Sequence, residues 1–131
     1  MSRATSFIFA DDPRGHVAPA GAKVARIQSV RSKKGLLDAL ARGLGLPATF
    51  GHNWDALEES LREFSWAHGA KSIAIVHEEV PEIGAEDLQT YLDILAEGIA
   101  ALRAAHDSVP DVQAVFPARA KSRIEQLLRL A

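Results

Sequence analysis

The stretch LPATFGHNWDALEESLREF, Leu46 to Phe64, combines a turn, a helix start and a row of charged side chains. A proline and a glycine indicate the turn. Asn53 has the short polar side chain preferred at a helix N-cap, and Asp55 falls in the first turn, where the helix dipole favours an anion. These features predict a helix that begins after Asn53 and extends to about Trp66.

The two sides of this helix differ in their chemistry. At about 100° per residue, one side collects the apolar residues and faces the core; these are Trp54, Leu57, Leu61 and Phe64. The other side carries the acidic stripe, which we define as Asp55, Glu59 and Glu63, with Glu58 and Arg62 beside it. Like charges four residues apart repel by about 0.2–0.5 kcal/mol per pair, and Arg62 offsets part of that cost. A solvent-exposed face explains the stripe, and so does a surface that receives a basic partner.

Outside this stretch, the spacing of apolar residues predicts a succession of strands and helices. Strands are predicted at 23–30, 71–78 and 112–116, and helices from Ser32 to a stop at Gly43, Gly45 and Pro47, at 85–105 and at 118–130. The strand 71–78 is an almost continuous apolar run, which is typical of a strand covered on both faces. Helical connections between the strands imply a small α/β fold with a three-stranded parallel sheet.

The chain is predicted to form a single domain over residues 23–131, preceded by an irregular extension over residues 1–22. The extension is interrupted by Pro13, Gly15, Pro19 and Gly21. The apolar residues Phe7 to Phe9 within it allow at most a short edge strand.

The composition indicates a soluble globular protein. Of its 131 residues, 47% are hydrophobic and 24% are charged, which is the profile of one folded domain. The absence of cysteine excludes disulfides and thiolate zinc sites. A formal net charge of -2 gives no support to direct nucleic-acid binding through a basic field. Because no apolar run is long enough for a secretory signal or a membrane span, we expect a cytoplasmic protein.

The segment LPATFGHNWDALEESL resembles the central motif of the barstar family, which consists of intracellular inhibitors of bacterial ribonucleases. That motif runs approximately Leu-Pro-x-x-aromatic-Gly-x-Asn-x-Asp-Ala-Leu, and the residues that match it are Leu46, Pro47, Phe50, Gly51, Asn53, Asp55, Ala56 and Leu57. A looser resemblance, in the order of helices and strands, extends from about Lys23 to Phe116. It does not include the extension 1–22 or the terminal helix, which the compact members of the family lack.

The resemblance implies a protein that blocks the active site of a basic ribonuclease with carboxylates in place of substrate phosphates. Asp55 matches the motif aspartate, which hydrogen-bonds in the cleft of the enzyme. Glu59 stands where the family places the aspartate that enters the phosphate site, and its side chain is one methylene longer. Thr49 and Glu58 stand where the best-known member has an interface tyrosine and an interface tryptophan. Because both aromatic anchors are missing, we expect a related but different ribonuclease as the target.

The leading hypothesis is therefore a barstar-like ribonuclease inhibitor or immunity protein that binds its partner one to one, with no catalytic residues and no cofactor. The residues predicted to bind the partner are Thr49, Phe50, Gly51, His52, Asn53, Asp55, Glu58, Glu59, Arg62 and Glu63. Gly51 is expected to allow a close approach of the backbone or a positive φ angle. Phe50 and Trp54 are expected to belong mainly to the core.

Two other functions remain open. One is a barstar-fold interaction module with a partner that is not a nuclease. The other is a hydrolase that pairs His52 or His77 with Glu59, although no nucleophile motif accompanies them. The histidines lack the spacing of metal ligands, so no metal site is expected. A second group of acidic residues surrounds the predicted start of the third helix, and we expect it to be solvated. It would extend the acidic surface only if the fold placed it beside the second helix. Its members are Glu78, Glu79, Glu82, Glu86 and Asp87.

Overall fold

The computed structural model describes residues 7–16, 18, 20–62, 72–104 and 111–129. In these ranges the elements follow in the order β1 (Phe7–Ala10), β2 (Ala22–Ile27), α1 (Lys33–Leu44), α2 (Trp54–Arg62), β3 (Ser72–His77), α3 (Ala85–Ala104), β4 (Asp111–Pro117) and α4 (Lys121–Arg129). Short 3₁₀ helices occupy Pro13–Gly15 and Ala118–Ala120. The predicted α/β class is confirmed, and the predicted end of the second helix at Trp66 lies outside the described residues.

The sheet is parallel throughout and has the strand order β1-β4-β3-β2. The prediction of three strands undercounts the described sheet by one, because β1 pairs with β4, with Phe7 opposite Ala114 and Ala10 opposite Pro117. The short edge strand that Phe7 to Phe9 allow is found here as β1, at the edge of the sheet. Its partner β4 lies near the other end of the chain, so the residues around Phe7 do not by themselves show that a strand there joins the sheet.

One face of the sheet carries the main hydrophobic core, to which all four α-helices contribute. The strand side chains in it include Ala25, Ile27, Ile73, Ile75, Ala114 and Phe116. The helical side chains include Leu36, Leu40, Leu57, Leu61, Leu88, Leu92, Leu95, Ile124 and Leu128. Because each large buried apolar side chain contributes about 1.5–3 kcal/mol, this core is what holds α2 against the body of the protein.

The opposite face of the sheet is covered by the segment that follows β1. Ala74, Val76 and Val115 are fully buried on this face. The partly buried side chains that pack against them are Ile8, Ala10, Ala18 and Val24. The 3₁₀ helix Pro13–Gly15 contacts β3 and β4 and buries Pro13. All six residues of β3 are buried, as its continuous apolar run predicts.

Helix α1 begins and ends at residues with the expected capping geometry. The Ser32 Oγ accepts a hydrogen bond from the Gly35 N–H at 2.9 Å, and Gly45 ends the helix with a left-handed φ of 66°. Gly43, which the sequence places in the stop signal, instead lies inside the helix. A Cβ atom on Gly43 would lie 2.8 Å from the Cβ of Ala25 in β2. Close packing of α1 on β2, rather than helix termination, therefore requires glycine there.

Candidate partner-binding site

A hydrogen-bonded loop connects α1 to α2 and sets the start of α2. The Phe50 N–H donates to the Pro47 carbonyl at 2.9 Å. The Asn53 side chain caps α2, since its Oδ1 accepts from the Ala56 N–H at 2.7 Å. Its Nδ2 donates to the Gly51 carbonyl at 3.3 Å. The predicted N-cap is confirmed, and the same side chain also ties the helix start to the loop before it.

The unusual backbone conformation of this loop is at His52 rather than at Gly51. His52 has a φ of 51°, a left-handed conformation that costs a residue with a side chain about 1 kcal/mol or more. Gly51 does not have a positive φ angle. A Cβ on Gly51 would lie 3.2 Å from Asn53 Nδ2 and 3.5 Å from Ala56 Cβ. Of the two roles predicted for Gly51, close approach is therefore the one observed.

The His52 ring connects the loop to α1. Its Nδ1 lies 3.0 Å from the Phe50 carbonyl oxygen, and its Nε2 lies 3.4 Å from Oδ1 of Asp38. The other oxygen of Asp38 accepts a hydrogen bond from Lys34 at 3.0 Å, which is the main reason that the pKa of Asp38 is lowered. Asp38 lies outside the motif at 46–57 and is not among the residues predicted to bind the partner. Its spacing from Lys34 is a local signal for a helical ion pair, but its contact with the loop is visible only in the folded chain.

The apolar side of α2 is buried, as predicted. Leu57 is fully buried, and Phe50 in the loop is 8% exposed. Trp54 is half-buried; its Nε1–H donates to Asp87 at 3.4 Å, and its ring stacks on Tyr91 with centroids 6.1 Å apart. Trp54 therefore joins α2 to α3 and is not an exposed anchor for a partner. Phe64, the last predicted member of this side, lies outside the described residues.

The opposite side of α2 exposes Asp55 and Glu59. Glu58 is paired with Arg62 one turn later on the same helix. Within the described ranges, no basic side chain lies at ion-pair distance from Asp55 or Glu59. Glu63, the third member of the predicted stripe, lies outside the described residues. Two carboxylates of the stripe are thus open to solvent on a helix whose other side is packed on the core.

A shallow depression of about 170 Å³ lies between the loop and α2. Its lining brings together Pro47, Thr49, Phe50, Gly51, Ala56, Glu59 and Ser60. Glu59 is the ionisable residue of this lining, and the others are small, apolar or hydroxyl-bearing. The arrangement can accept a single cationic side chain from a partner, with the Glu59 carboxylate as its counter-charge.

The second acidic group is partly solvated, as predicted, since the side chains of Glu79 and Glu82 are 46% and 67% exposed, but three of its carboxylates also form ion pairs. We define the sheet-end cluster as Glu78, Glu79 and Glu82, which follow β3. Each contacts an arginine from a distant part of the chain: Glu78 with Arg14 at 2.9 Å, Glu79 with Arg119, and Glu82 with Arg31 at 3.6 Å. Glu86 and Asp87 lie in the first turn of α3. The charges of the sheet-end cluster are therefore compensated within the fold.

His77 lies in the interior and uses both ring nitrogens. Its Nδ1 is 2.8 Å from the Val115 carbonyl, which can only accept, so Nδ1 carries the proton of the neutral ring. Its Nε2 then accepts a hydrogen bond from the Tyr91 hydroxyl at 2.6 Å. The ring stacks on Phe116 with centroids 4.0 Å apart. Burial lowers the pKa of His77 to about 4 and raises the pKa of Tyr91. With both nitrogens engaged, His77 is not placed to act as a catalytic base.

The geometry gives no support to the hydrolase hypothesis at His52 either. The His52 ring contacts Asp38 rather than Glu59, and His52 is not part of the lining of the depression. Among the described residues, no group of three histidine, aspartate or glutamate side chains is placed to hold a metal ion. In the same ranges, no helix has the length and apolar character needed to cross a membrane.

A comparison with protein families identifies one that spans the site. The model of the family described as Barstar (barnase inhibitor) matches residues 22–116. This range is more than half of the chain; it begins at β2, ends in β4 and includes α2 with its preceding loop. No curated protein and no solved structure matches the chain. The matched range is close to the one, from about Lys23 to Phe116, over which the order of helices and strands resembles that of the family. The chain belongs to the barstar family.

Proposed function

We propose that this protein is an inhibitor or immunity protein that binds a basic ribonuclease one to one and blocks its active site. The binding face consists of the loop 49–53 and the exposed side of α2. Glu59 is the central anion and Asp55 is its neighbour. The protein acts in the cytoplasm, without a cofactor and without contacting nucleic acid directly.

The observation that carries this proposal is the pair of uncompensated carboxylates on α2. Asp55 and Glu59 are exposed, and no basic side chain of the described ranges pairs with them. The helix dipole favours Asp55 in the first turn, but Glu59 lies beyond that turn and repels Asp55 across one turn of the helix. A ribonuclease must gather cationic side chains around a phosphate. Carboxylates held on a packed helix can occupy the position of that phosphate without first having to be ordered.

The depression beside Glu59 supports the same face. Thr49 and Ser60 contribute small side chains to its lining, and Glu58 is held by Arg62 outside it. Since aromatic anchors are missing at Thr49 and Glu58, the interface depends more on charge than on buried rings. Association should therefore be fast at low ionic strength and should slow steeply as salt is added.

The test is to recover binding partners of the tagged protein from its source cells and to assay the recovered protein for ribonuclease activity. We expect a basic ribonuclease whose activity is fully inhibited at one equivalent of this protein. Recovery of a single stable partner without ribonuclease activity would contradict inhibition and would favour an interaction module instead.

Two substitutions distinguish the proposed face from the rest of the acidic surface. Glu59→Ala should shift the inhibition curve to higher protein concentration, because it removes the central anion. Glu82→Ala is the matched control, since it removes a carboxylate that faces Arg31 within the fold. Equal inhibition by both variants would remove Glu59 from the site.

A further inference from the structure

Strand β2 is an open edge of the sheet. In the order β1-β4-β3-β2 it pairs with β3 alone. The Glu78 N–H donates to the Ile27 carbonyl at 2.9 Å, so the polar backbone groups of Ile27 point toward β3. Because these groups alternate in direction along a strand, the N–H and C=O groups of Val24 and Arg26 point away from the sheet. Among the described residues, none forms a hydrogen bond with these outward groups.

A groove of about 350 Å³, which we call the β2 groove, lies between this edge and α1. Arg26 and Ser29 line it from the strand side, and Ala39, Arg42 and Gly43 line it from the helix. Because Ala39 and Gly43 have little or no side chain, the helix leaves room beside the strand for another backbone. An added strand needs a spacing of about 4.8 Å from β2. Free space and unpaired backbone groups therefore occur together at this edge.

The charge of the β2 groove is positive. Arg26 and Arg42 are exposed, and the described residues of the lining include no acidic side chain. Within the described ranges, neither arginine lies at ion-pair distance from a carboxylate. The carboxylate of Asp38 is close enough to Arg42 for their charges to interact, but it already pairs with Lys34. The fold thus leaves the charge of the groove largely uncompensated.

The two arginines lie on opposite sides of the plane of the sheet. Ile27 packs in the main core, whereas Val24 packs on the second face. Arg26 follows Val24 by two residues and shares its side, where its guanidinium lies 3.4 Å from the His16 carbonyl. Arg42 belongs to α1, on the side of the main core. Because neighbouring side chains of an extended segment point to alternate sides, two adjacent acidic residues would meet the two arginines.

We propose that the open edge of β2 docks an extended segment of a second protein, which adds to the sheet as a strand and carries two adjacent acidic residues. Main-chain hydrogen bonds to Val24 and Arg26 supply affinity, and the two arginines select the acidic sequence. A second copy of this chain fits less well, because pairing β2 with itself brings the arginines of both copies to one seam. The β2 groove shares no lining residue with the depression beside Glu59. The proposal is therefore independent of ribonuclease inhibition.

The experiment uses synthetic peptides that are capped at both ends, with binding measured by fluorescence anisotropy and located by NMR of the backbone amides. The peptide Val-Thr-Glu-Glu-Thr-Val should bind and should shift the amide resonances of Val24 and Arg26, whereas Val-Thr-Lys-Lys-Thr-Val should not bind. Two further forms of the acidic peptide carry N-methyl groups on alternate residues, in the two possible phases. Only the form whose methyl groups face away from β2 should still bind, because the other cannot donate to the strand.

The matched protein variant combines Arg26→Glu with Arg42→Glu, which changes two exposed side chains and no core residue. It should bind the acidic peptide about tenfold more weakly than wild type and should bind the lysine peptide instead. No binding of the acidic peptide to wild type at up to about 1 mM would overturn the proposal. Equal binding of both N-methylated forms would also overturn it, since strand addition requires them to differ. Shifts at Val24 that grow with protein concentration alone would instead assign the edge to a second copy.

Discussion

Two acidic regions of this protein use the same kind of side chain in opposite ways. In the sheet-end cluster, Glu78, Glu79 and Glu82 each contact an arginine from another part of the chain. On α2, Asp55 and Glu59 are exposed, and the described residues supply no basic partner for them. Carboxylates at the end of β3 thus join distant segments of the protein, whereas Asp55 and Glu59 on α2 remain exposed to solvent.

The difference shows that the local density of acidic residues does not identify a binding surface. Exposed ion pairs contribute about 0–1 kcal/mol each to folding, whereas a carboxylate beyond the first turn of a helix, such as Glu59, gains neither an ion pair nor the helix dipole. The same uncompensated carboxylate can contribute much more when a basic partner removes it from water in a hydrogen-bonded pair. We therefore expect substitutions near the end of β3 to change the free energy of unfolding, and substitutions on the exposed side of α2 to change partner affinity.

The largest expected effect is on binding at Glu59. Glu59→Ala should weaken binding of the partner by about 2 kcal/mol or more, roughly thirtyfold in Kd, if Glu59 is the central anion. The free energy of unfolding should change by less than about 0.5 kcal/mol, because an exposed charge is removed. Calorimetric titration and urea denaturation measure the two quantities. Glu58→Ala is the control and should weaken binding less, because Arg62 already holds that carboxylate; a larger loss at Glu58 would contradict the assignment.

A second effect concerns the pH dependence of stability at the end of β3. The pKa of folded His77 is about 4, below its ordinary value of 6.5, so the unfolded chain binds the proton more readily. This contribution to stability is complete above about pH 6.5 and decreases as pH falls toward 4, by about 2 kcal/mol between pH 7 and pH 5. Urea denaturation at several pH values measures it. His77→Gln does not titrate and should remove most of this slope, and an unchanged slope in that variant would show that other groups cause it.

Tyr91 provides a smaller test of the same buried site. Tyr91→Phe removes the hydroxyl that donates to His77 Nε2 and leaves a buried acceptor without its donor. The free energy of unfolding should fall by about 1–2 kcal/mol. Partner affinity should stay at its wild-type value, because Tyr91 is fully buried. Unchanged stability in urea denaturation would contradict the assigned hydrogen bond.

The smallest expected effect is at Glu78. Glu78→Gln removes the charge that pairs with Arg14 in the segment covering the second face of the sheet. We expect a loss of about 0.5 kcal/mol in the free energy of unfolding, since the Arg14 side chain is 73% exposed and solvent screens the pair. Partner affinity should not change. If Glu78→Gln weakened binding as much as Glu59→Ala, the sheet-end cluster would belong to the binding face.

Much of the fold and of the site can be predicted from the sequence, because many of their determinants are local. The predicted strands and helices correspond to β2, α1, α2, β3, α3, β4 and α4, although the strand predicted at 23–30 ends at Ile27 and the first three residues of the helix predicted at 118–130 form a 3₁₀ helix. The Asn53 cap and the pair Glu58–Arg62 each join residues within about one helical turn. The buried Leu57 lies on the apolar side that the helical period predicts. The motif at 46–57 lies within a single loop and helix, so the family could also be inferred from it.

The remaining features depend on contacts between residues far apart in the chain. The apolar residues Phe7 to Phe9 allow a strand, but the place of β1 in the sheet depends on β4. Gly43 appears to be a helix stop in the sequence, yet it is required by Ala25 on another element. His77 and the sheet-end cluster resemble surface groups in the sequence, and only packing shows that one is buried and the others are paired.

The sequence by itself determined the order of the elements, the cap of α2 and the spacing of Asp55 and Glu59, because helix periodicity and capping act over three or four residues. Only the tertiary structure decided which carboxylates are compensated: Arg14 reaches Glu78, Arg119 reaches Glu79 and Arg31 reaches Glu82. The physical reason is that the ionic partners of a side chain are set by distance in space. That distance depends on how the helices and strands pack, and no short segment of sequence contains it.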